Sequence, residues 1–287
     1  MNIDAVKFRD FRLYLGGNAF ALNSVWMQRV TLGWIAWELT SSASFVGLVS
    51  FLTYAPAMIS GPFFGVLIDR VRVKKAAMVT QSLLLLITLL FLLTYELGVL
   101  GTIVLAALAT LVGVVSSAHN PVRMSLAPRL VERDAIGSVV TLVAINFNLA
   151  RLTGPALGGA LIAFFGVEVS LIVQALFYLP ILFVIPRLSP RPRRSENTEK
   201  PPFLQEMLAG FRYVIANDII RRALLVTGIF AFLIRGTLEL MPVFADGVFD
   251  KGAAGLGLLT SSAGFGALCA GMTKALTSAQ PSGRLPR

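Results

Sequence analysis

The chain has 287 residues, of which 56% are hydrophobic and 14% are charged, and its mean hydropathy is +0.77. This composition excludes an ordinary soluble domain and is typical of an integral membrane protein. The net charge of +10 does not indicate nucleic-acid binding, because the basic residues lie between apolar runs and form neither a basic helix nor an aromatic-interleaved patch.

Eight apolar runs, each near the length that a helix needs to cross a bilayer, follow one another along the chain. Lipid offers the backbone no hydrogen-bond partner, so each run is predicted to be an α-helix. The sequence therefore predicts an all-α integral membrane fold. The predicted spans are 13–37, 45–68, 76–95, 97–118, 139–165, 167–185, 224–244 and 253–274.

The distribution of charge predicts the orientation of these spans. Most of the 25 basic residues lie at the N-terminus, in every second connection and in the tail, whereas the other connections carry Glu and Asp. The connection after the fourth span, for example, contains Arg123, Arg129 and Arg133. Basic residues next to spans stay on the cytoplasmic side, so we expect a cytoplasmic N-terminus.

The connections divide the chain into four regions. Residues 1–186 form a six-span bundle, 187–222 a cytoplasmic linker, 223–276 two further spans and 277–287 a polar tail. The first part of the linker is rich in proline and charge, which predicts a flexible segment. Its second part, 203–216, has apolar residues at helical spacing and is predicted to lie along the inner membrane surface.

The connection after the second span reads G-V-L-I-D-R-V-R-V-K-K and contains Gly65, Asp69, Arg70 and Lys74. It resembles the signature between helices two and three of the major facilitator superfamily, although Arg72 stands one position early. The resemblance implies that Gly65 permits close helix approach, and that Asp69 and Arg70 join the cytoplasmic ends of the two halves as a gate. The alternative for the basic residues is a simple orientation signal.

The fifth span contains Arg151, Gly154, Pro155, Gly158 and Gly159 in the stretch R-L-T-G-P-A-L-G-G. Gly154 and Gly158 share a helix face, so a partner helix can approach closely, and Pro155 removes a backbone donor. The stretch resembles the motif G-P-x-x-G-G that marks exporters of the same superfamily. The alternative is an ordinary small-residue packing face.

Three longer stretches, 120–131, 240–249 and 254–268, resemble the siderophore (enterobactin)-exporter-like branch of this superfamily. The resemblance implies a location in the bacterial inner membrane and twelve spans in two bundles, with substrate bound between them. The eight predicted spans correspond to a complete N-terminal bundle and two helices of the C-terminal bundle. We therefore expect a chain truncated after the eighth helix and impaired in transport.

Charged and amide side chains within the spans are candidate cavity residues. Placing an ionisable side chain in a membrane costs free energy, so such a side chain usually faces a cavity or a partner. Arg151 and Arg235 are side chains of this kind. Glu239 is the candidate proton-coupling residue, and an ion pair with Arg235 four residues earlier is the alternative. Asn146 and Asn148 either line a cavity or make interhelical hydrogen bonds.

Three other residues have simple explanations. Arg29 lies towards the outer end of the first span, where it either faces a cavity or reaches the interface. His119 and Cys269 are the only residues of their types, and their positions provide no metal-binding or catalytic spacing. We therefore expect no enzyme activity, no catalytic residue, no cofactor and no metal.

These features favour a secondary active transporter that exports small amphipathic molecules, of the drug or siderophore type, by alternating access and proton antiport. Its expected partners are a small-molecule substrate, protons and the lipid bilayer. The alternative is a non-transporting membrane protein, either a truncated remnant or an assembly partner of a complete transporter. An intramembrane enzyme is a third hypothesis, and the scarcity of His, Cys and paired acids within the spans argues against it.

Overall fold

A computed structural model describes residues 4–68, 70–192, 208, 212–230 and 236–278, and every regular element among them is helical. This confirms the predicted all-α fold. The principal helices are α1 Arg9–Thr40, α2 Ala43–Ile68, α3 Val73–Glu96, α4 Thr102–Leu126, α5 Ile136–Val184, α6 Asp218–Phe230, α7 Gly236–Glu239 and α8 Gly252–Ser278. Shorter helical turns are Asp4–Lys7, Ala127–Leu130, Arg133–Ala135 and Ile185–Arg187, and Val243–Val248 is a π-helix.

Three described helical segments are long and apolar enough to cross a membrane: Val73–Glu96, Thr102–Leu130 and Arg133–Arg187. The last has 55 residues, which at the helical rise correspond to about 80 Å, enough for two crossings of a core of about 30 Å. Large apolar side chains on the outer faces are strongly exposed, as at Ile103 and Phe164. These features identify a multi-pass membrane protein, while the full count of eight spans stays a prediction.

The long helix α5 changes direction at Gly166. This residue has φ 88° and ψ 173°, a conformation that is essentially restricted to glycine because a Cβ atom would clash with the backbone. Gly166 divides α5 into a first arm, 136–165, and a second arm, 167–184. The break agrees with the two separate spans that the sequence predicts for this region.

Helix α1 lies between the two arms of α5. A Cβ atom added at Gly17 would lie 3.1 Å from Ile181 Cα in the second arm, and one added at Gly158 in the first arm would lie 3.2 Å from Met27 Cα. Backbones that approach this closely leave no room for larger side chains. Both arms are therefore packed closely against the same helix, α1.

Buried polar side chains between α1 and the second arm bond to one another rather than to lipid. Ser24 Oγ donates to the Gln174 carbonyl at 2.9 Å. Gln174 Nε2 donates to Thr31 Oγ1 at 2.9 Å and to Ser170 Oγ at 3.1 Å. Each such bond contributes about 1 kcal/mol when its groups are buried. The network fixes the register of the second arm on α1.

The fourth helix differs from its predicted span, 97–118. Helix α4 begins at Thr102, because Gly98 has a φ of 66° and residues 97–101 form a turn. It continues to Leu126 with Pro121 in its interior. A proline removes one backbone donor and crowds the preceding turn, but here the helix continues through Pro121 beyond the predicted end at 118.

The second half of the chain is described in part. The predicted span 224–244 appears as α6, which begins earlier at Asp218, and as α7, with 231–235 lying outside the described residues. The predicted interfacial helix 203–216 lies mostly outside them as well, although 212–216 are helical. Helix α8 closely matches the predicted span 253–274.

We predict that Gly166→Val lowers the free energy of unfolding by about 1 to 3 kcal/mol, because a β-branched residue cannot adopt this backbone conformation without strain. Thermal unfolding in detergent micelles measures the effect. Gly137→Ala is the matched control, since Gly137 lies in a helix and an added Cβ would meet no atom within 4 Å. Equal midpoints for the two variants would contradict the role assigned to Gly166.

Candidate transport site

The glycines of the predicted exporter motif lie at the contact between α5 and α1. A Cβ atom added at Gly154 would lie 2.5 Å from Trp26 Cβ and 3.1 Å from the Asn23 carbonyl oxygen. Gly158 faces the next turn of α1 at Met27. The two glycines thus share the face that their spacing indicates, and their lack of side chains sets the position of Trp26.

The same motif also contacts the second half of the chain. A Cβ atom added at Gly159 would lie 2.5 Å from Gly257 Cα in α8. Pro155 is buried one turn earlier. The first arm of α5 therefore packs against α1 with one face and against α8 with another, through glycine in both cases.

A group of cationic and aromatic side chains begins at Trp26 on α1. The Arg29 guanidinium lies 4.4 Å from the centroid of the Trp26 ring and 5.1 Å from that of the Tyr54 ring on α2. Both distances lie within the range of cation–π attraction. Arg29 is thus held between two rings of neighbouring helices, so of the two expectations for it the structure supports the inward-facing one.

The group continues from Trp26 towards α4. The Trp26 and Phe147 rings meet edge to face at 5.6 Å, and the Arg123 guanidinium lies 5.4 Å from the Phe147 centroid. Arg151 Cζ lies 6.0 Å from the Trp26 centroid. We call this group the arginine–aromatic wall; it consists of Trp26, Arg29, Tyr54, Arg123, Phe147 and Arg151.

Glu239 joins the wall to the second half of the chain. The Tyr54 hydroxyl donates to Glu239 Oε1 at 2.6 Å, a length typical of a hydrogen bond to a carboxylate. Arg235, the partner that the sequence suggested for Glu239, lies outside the described residues. Among the described residues, the contact of Glu239 is with Tyr54 of α2, and the ion pair with Arg235 stays a prediction.

A second contact ties the same part of the chain to α1. Trp37 Nε1 donates to Asp246 Oδ2 at 2.8 Å. A Cβ atom added at Gly33 would lie 3.0 Å from Pro242 Cγ. The segment that follows Glu239 therefore rests along the C-terminal half of α1, which places Glu239 against the wall.

The predicted gating residues have different surroundings. Asp69 lies outside the described residues. Arg70 is exposed, and a Cβ added at Gly65 would meet no atom within 4 Å. Lys74 Nζ donates to the carbonyl oxygens of Pro186 and Leu188, both at 2.7 Å. Lys74 thus fastens the start of α3 to the end of the second arm, where a cation also suits the helix dipole.

The two candidate asparagines bond to backbone carbonyls. Asn146 is buried, and its Nδ2 donates to the Leu15 carbonyl of α1 at 3.2 Å. Asn148 is exposed, and its Nδ2 donates to the Ala144 carbonyl one turn earlier. Asn146 therefore makes the interhelical bond that was its alternative. In the described parts of the chain, no group of three His, Cys, Asp or Glu side chains is arranged to bind a metal ion.

Sequence reasoning missed the aromatic members of the wall and placed Arg123 with the cytoplasmic residues. The structure corrects the placement of Arg123, whose exposed fraction is only 8%. Its helix continues to Leu126, so Arg123 lies inside the bundle rather than in a connection. The signal available in the sequence was its position one turn after His119, close to the end of the predicted span 97–118.

Comparison with known proteins identifies the family. A family model described as a transmembrane secretion effector matches residues 7–280. The chain belongs to this family of the major facilitator superfamily. This membership confirms the fold expected from the sequence motifs.

Curated relatives match a little over half of the chain. It is 25% identical over 179 residues to the staphyloferrin A transporter of Staphylococcus aureus, which covers 62% of this chain and 43% of that protein. It is 27% identical over 164 residues to the enterobactin exporters of Shigella dysenteriae and Escherichia coli, covering 55% of this chain and 38% of theirs. The chain thus aligns with less than half the length of these relatives.

We predict that Gly154→Ala lowers the free energy of unfolding by about 1 to 3 kcal/mol, because the new methyl group overlaps the Trp26 side chain. Thermal unfolding followed by tryptophan fluorescence measures both the stability and the surroundings of Trp26. The control is Gly47→Ala in α2, where an added Cβ meets no atom within 4 Å. Identical behaviour of the two variants would show that the contact between α1 and α5 tolerates a larger residue.

Proposed function

We propose that the protein is a secondary active transporter that exports small amphipathic molecules across the bacterial inner membrane by alternating access and proton antiport. The family membership supports transport, and the names of the relatives support a siderophore-type cargo. The charge distribution supports a cytoplasmic N-terminus. The contact between Tyr54 and Glu239 carries the proposal.

This contact couples the protonation of Glu239 to the packing of the two halves of the chain against each other. An ionised Glu239 accepts a strong hydrogen bond from the Tyr54 hydroxyl. Protonation removes the negative charge and weakens that bond, which changes the free energy of holding α7 against α2. A proton that binds one arrangement of the halves more tightly than the other shifts the population between them. Glu239 is therefore our candidate for the coupling residue.

The packing between α5 and α8 is suited to movement of the two halves of the chain relative to each other. Gly159 and Gly257 meet backbone to backbone, so no long side chains interdigitate between α5 and α8 at this point. Transporters of this superfamily alternate by rocking one bundle against the other around a central site. In our proposal, the glycine contact is the pivot and the wall with Glu239 is the site.

We expect Glu239→Gln to reduce transport driven by a pH gradient by about tenfold or more, because the glutamine side chain cannot take up and release a proton at neutral pH. Tyr54→Phe removes one donor and is expected to cause a smaller loss. The measurement uses proteoliposomes that contain the purified chain, an imposed pH gradient and the uptake of two fluorescent amphipathic molecules, dansylglycine and dansylcadaverine.

Asp218→Asn is the matched control, because Asp218 is an exposed acid that pairs with Arg221 at the surface, and we expect its transport to equal that of the unmodified chain. Unchanged gradient-driven uptake in Glu239→Gln would remove Glu239 from the mechanism. Absence of uptake by the unmodified chain would favour the non-transporting alternative, whereas weak uptake that Glu239→Gln abolishes would agree with an impaired exporter.

A further inference from the structure

The wall contains buried hydrogen-bond donors without partners. Within the described residues, Trp26 Nε1, Arg29 Nη1, and both Nε and Nη1 of Arg123 are buried and make no hydrogen bond. All of these atoms donate and none accepts. A buried donor without a partner is unfavourable, so the wall is suited to a ligand group that only accepts hydrogen bonds.

The charge of the wall is also unbalanced. The wall and its Glu239 contact contain three guanidinium groups and one carboxylate, and that carboxylate is bonded to Tyr54. The ion pairs found among the described residues are exposed and involve other arginines and lysines, as in Arg191 with Glu132. A buried cation without an anionic partner is costly. An anion supplied by a ligand would offset this cost, whereas a cationic ligand would add to it.

The aromatic members indicate the other half of the ligand. The rings of Trp26, Tyr54 and Phe147 lie 4.4 to 5.4 Å from the guanidinium groups of Arg29 and Arg123. Rings of this kind bind apolar or planar groups, while the flanking arginines recognise carboxylate and similar acidic groups. The arrangement thus matches one molecule that combines an apolar or aromatic body with an acidic group.

We propose that the arginine–aromatic wall binds organic anions and that Arg29 and Arg123 are its anion-binding residues. The inference rests on the proposed function in that it assigns the substrate class of the same site. It separates two classes that the exporter proposal leaves open, anionic and cationic amphipathic molecules. It also gives a role to Arg123, a buried cation that orientation in the membrane does not explain.

Equilibrium binding tests the inference without any transport step. The purified full chain is placed in phosphatidylcholine nanodiscs and titrated with dansylglycine and dansylcadaverine, which share a fluorophore and carry a carboxylate and an ammonium group. We expect saturable binding of dansylglycine with a dissociation constant about tenfold or more below that of dansylcadaverine. Equal binding, preference for dansylcadaverine, or no saturable binding of dansylglycine would overturn the inference.

Substitutions test whether the preference for dansylglycine over dansylcadaverine arises at the wall. Arg123→Gln and Arg29→Gln are each expected to raise the dissociation constant for dansylglycine about tenfold and to leave that for dansylcadaverine unchanged or lower. Arg123→Lys keeps the charge and is expected to retain part of the selectivity. Arg221→Gln, at an exposed position, is the control and should bind as the unmodified chain does. Selectivity that survives both glutamine substitutions would overturn the assignment to these arginines.

Two further measurements keep the outcomes distinct. Size-exclusion chromatography and thermal unfolding establish whether each variant is folded, and if Arg123→Gln is not, Arg29→Gln and Arg123→Lys decide the result. Selective binding of dansylglycine without transport in vesicles would support the anion-binding wall and favour the non-transporting alternative over the exporter proposal. Transport of dansylcadaverine in preference to dansylglycine would support the exporter proposal and contradict the anion-binding wall.

Discussion

The position of α1 between the two arms of α5 is the contact on which the other features depend. It exists because Gly17, Gly154 and Gly158 have no side chains at the points of closest approach. In a membrane, helices gain little from excluding lipid from one another, so close packing and polar bonds between helices provide much of their association. This packing fixes Trp26, which in turn contacts Arg29, Phe147 and Arg151 of the wall. A larger residue at Gly154 would therefore disturb the candidate site as well as the bundle.

Two sets of buried polar side chains in the bundle differ in their donors. In the network around Gln174, the donors of Ser24 and Gln174 find acceptors within the bundle, and such bonds hold helices in register. At the wall, the donors of Arg29 and Arg123 lack acceptors. A structural role accounts for the first set and not for the second. The contrast directs attention to a ligand at the wall rather than to packing.

The fold was largely predictable from the sequence, because hydrophobic length and charge asymmetry act locally and leave a direct pattern in the chain. The helices, the break near Gly166 and the shared face of Gly154 and Gly158 follow from spacing alone. The contact between Tyr54 and Glu239 joins residues 185 positions apart, and no local pattern indicates such a pairing. Arg123 was misplaced because the apolar run ends near 118, whereas the helix continues through Pro121 to Leu126.

The central claim is that the segment after Glu239 packs on α1 and so brings the second half against the wall. Disulfide cross-linking in native membranes tests it most directly, because Cys269 is the only cysteine and Cys269→Ser gives a clean background. The pair Gly33→Cys and Pro242→Cys should form a disulfide on oxidation, which keeps the two halves joined after trypsin cleaves the basic linker, whereas Gly47→Cys with Pro242→Cys should not. Separation of the halves in the first pair, or equal cross-linking in both, would contradict the claim.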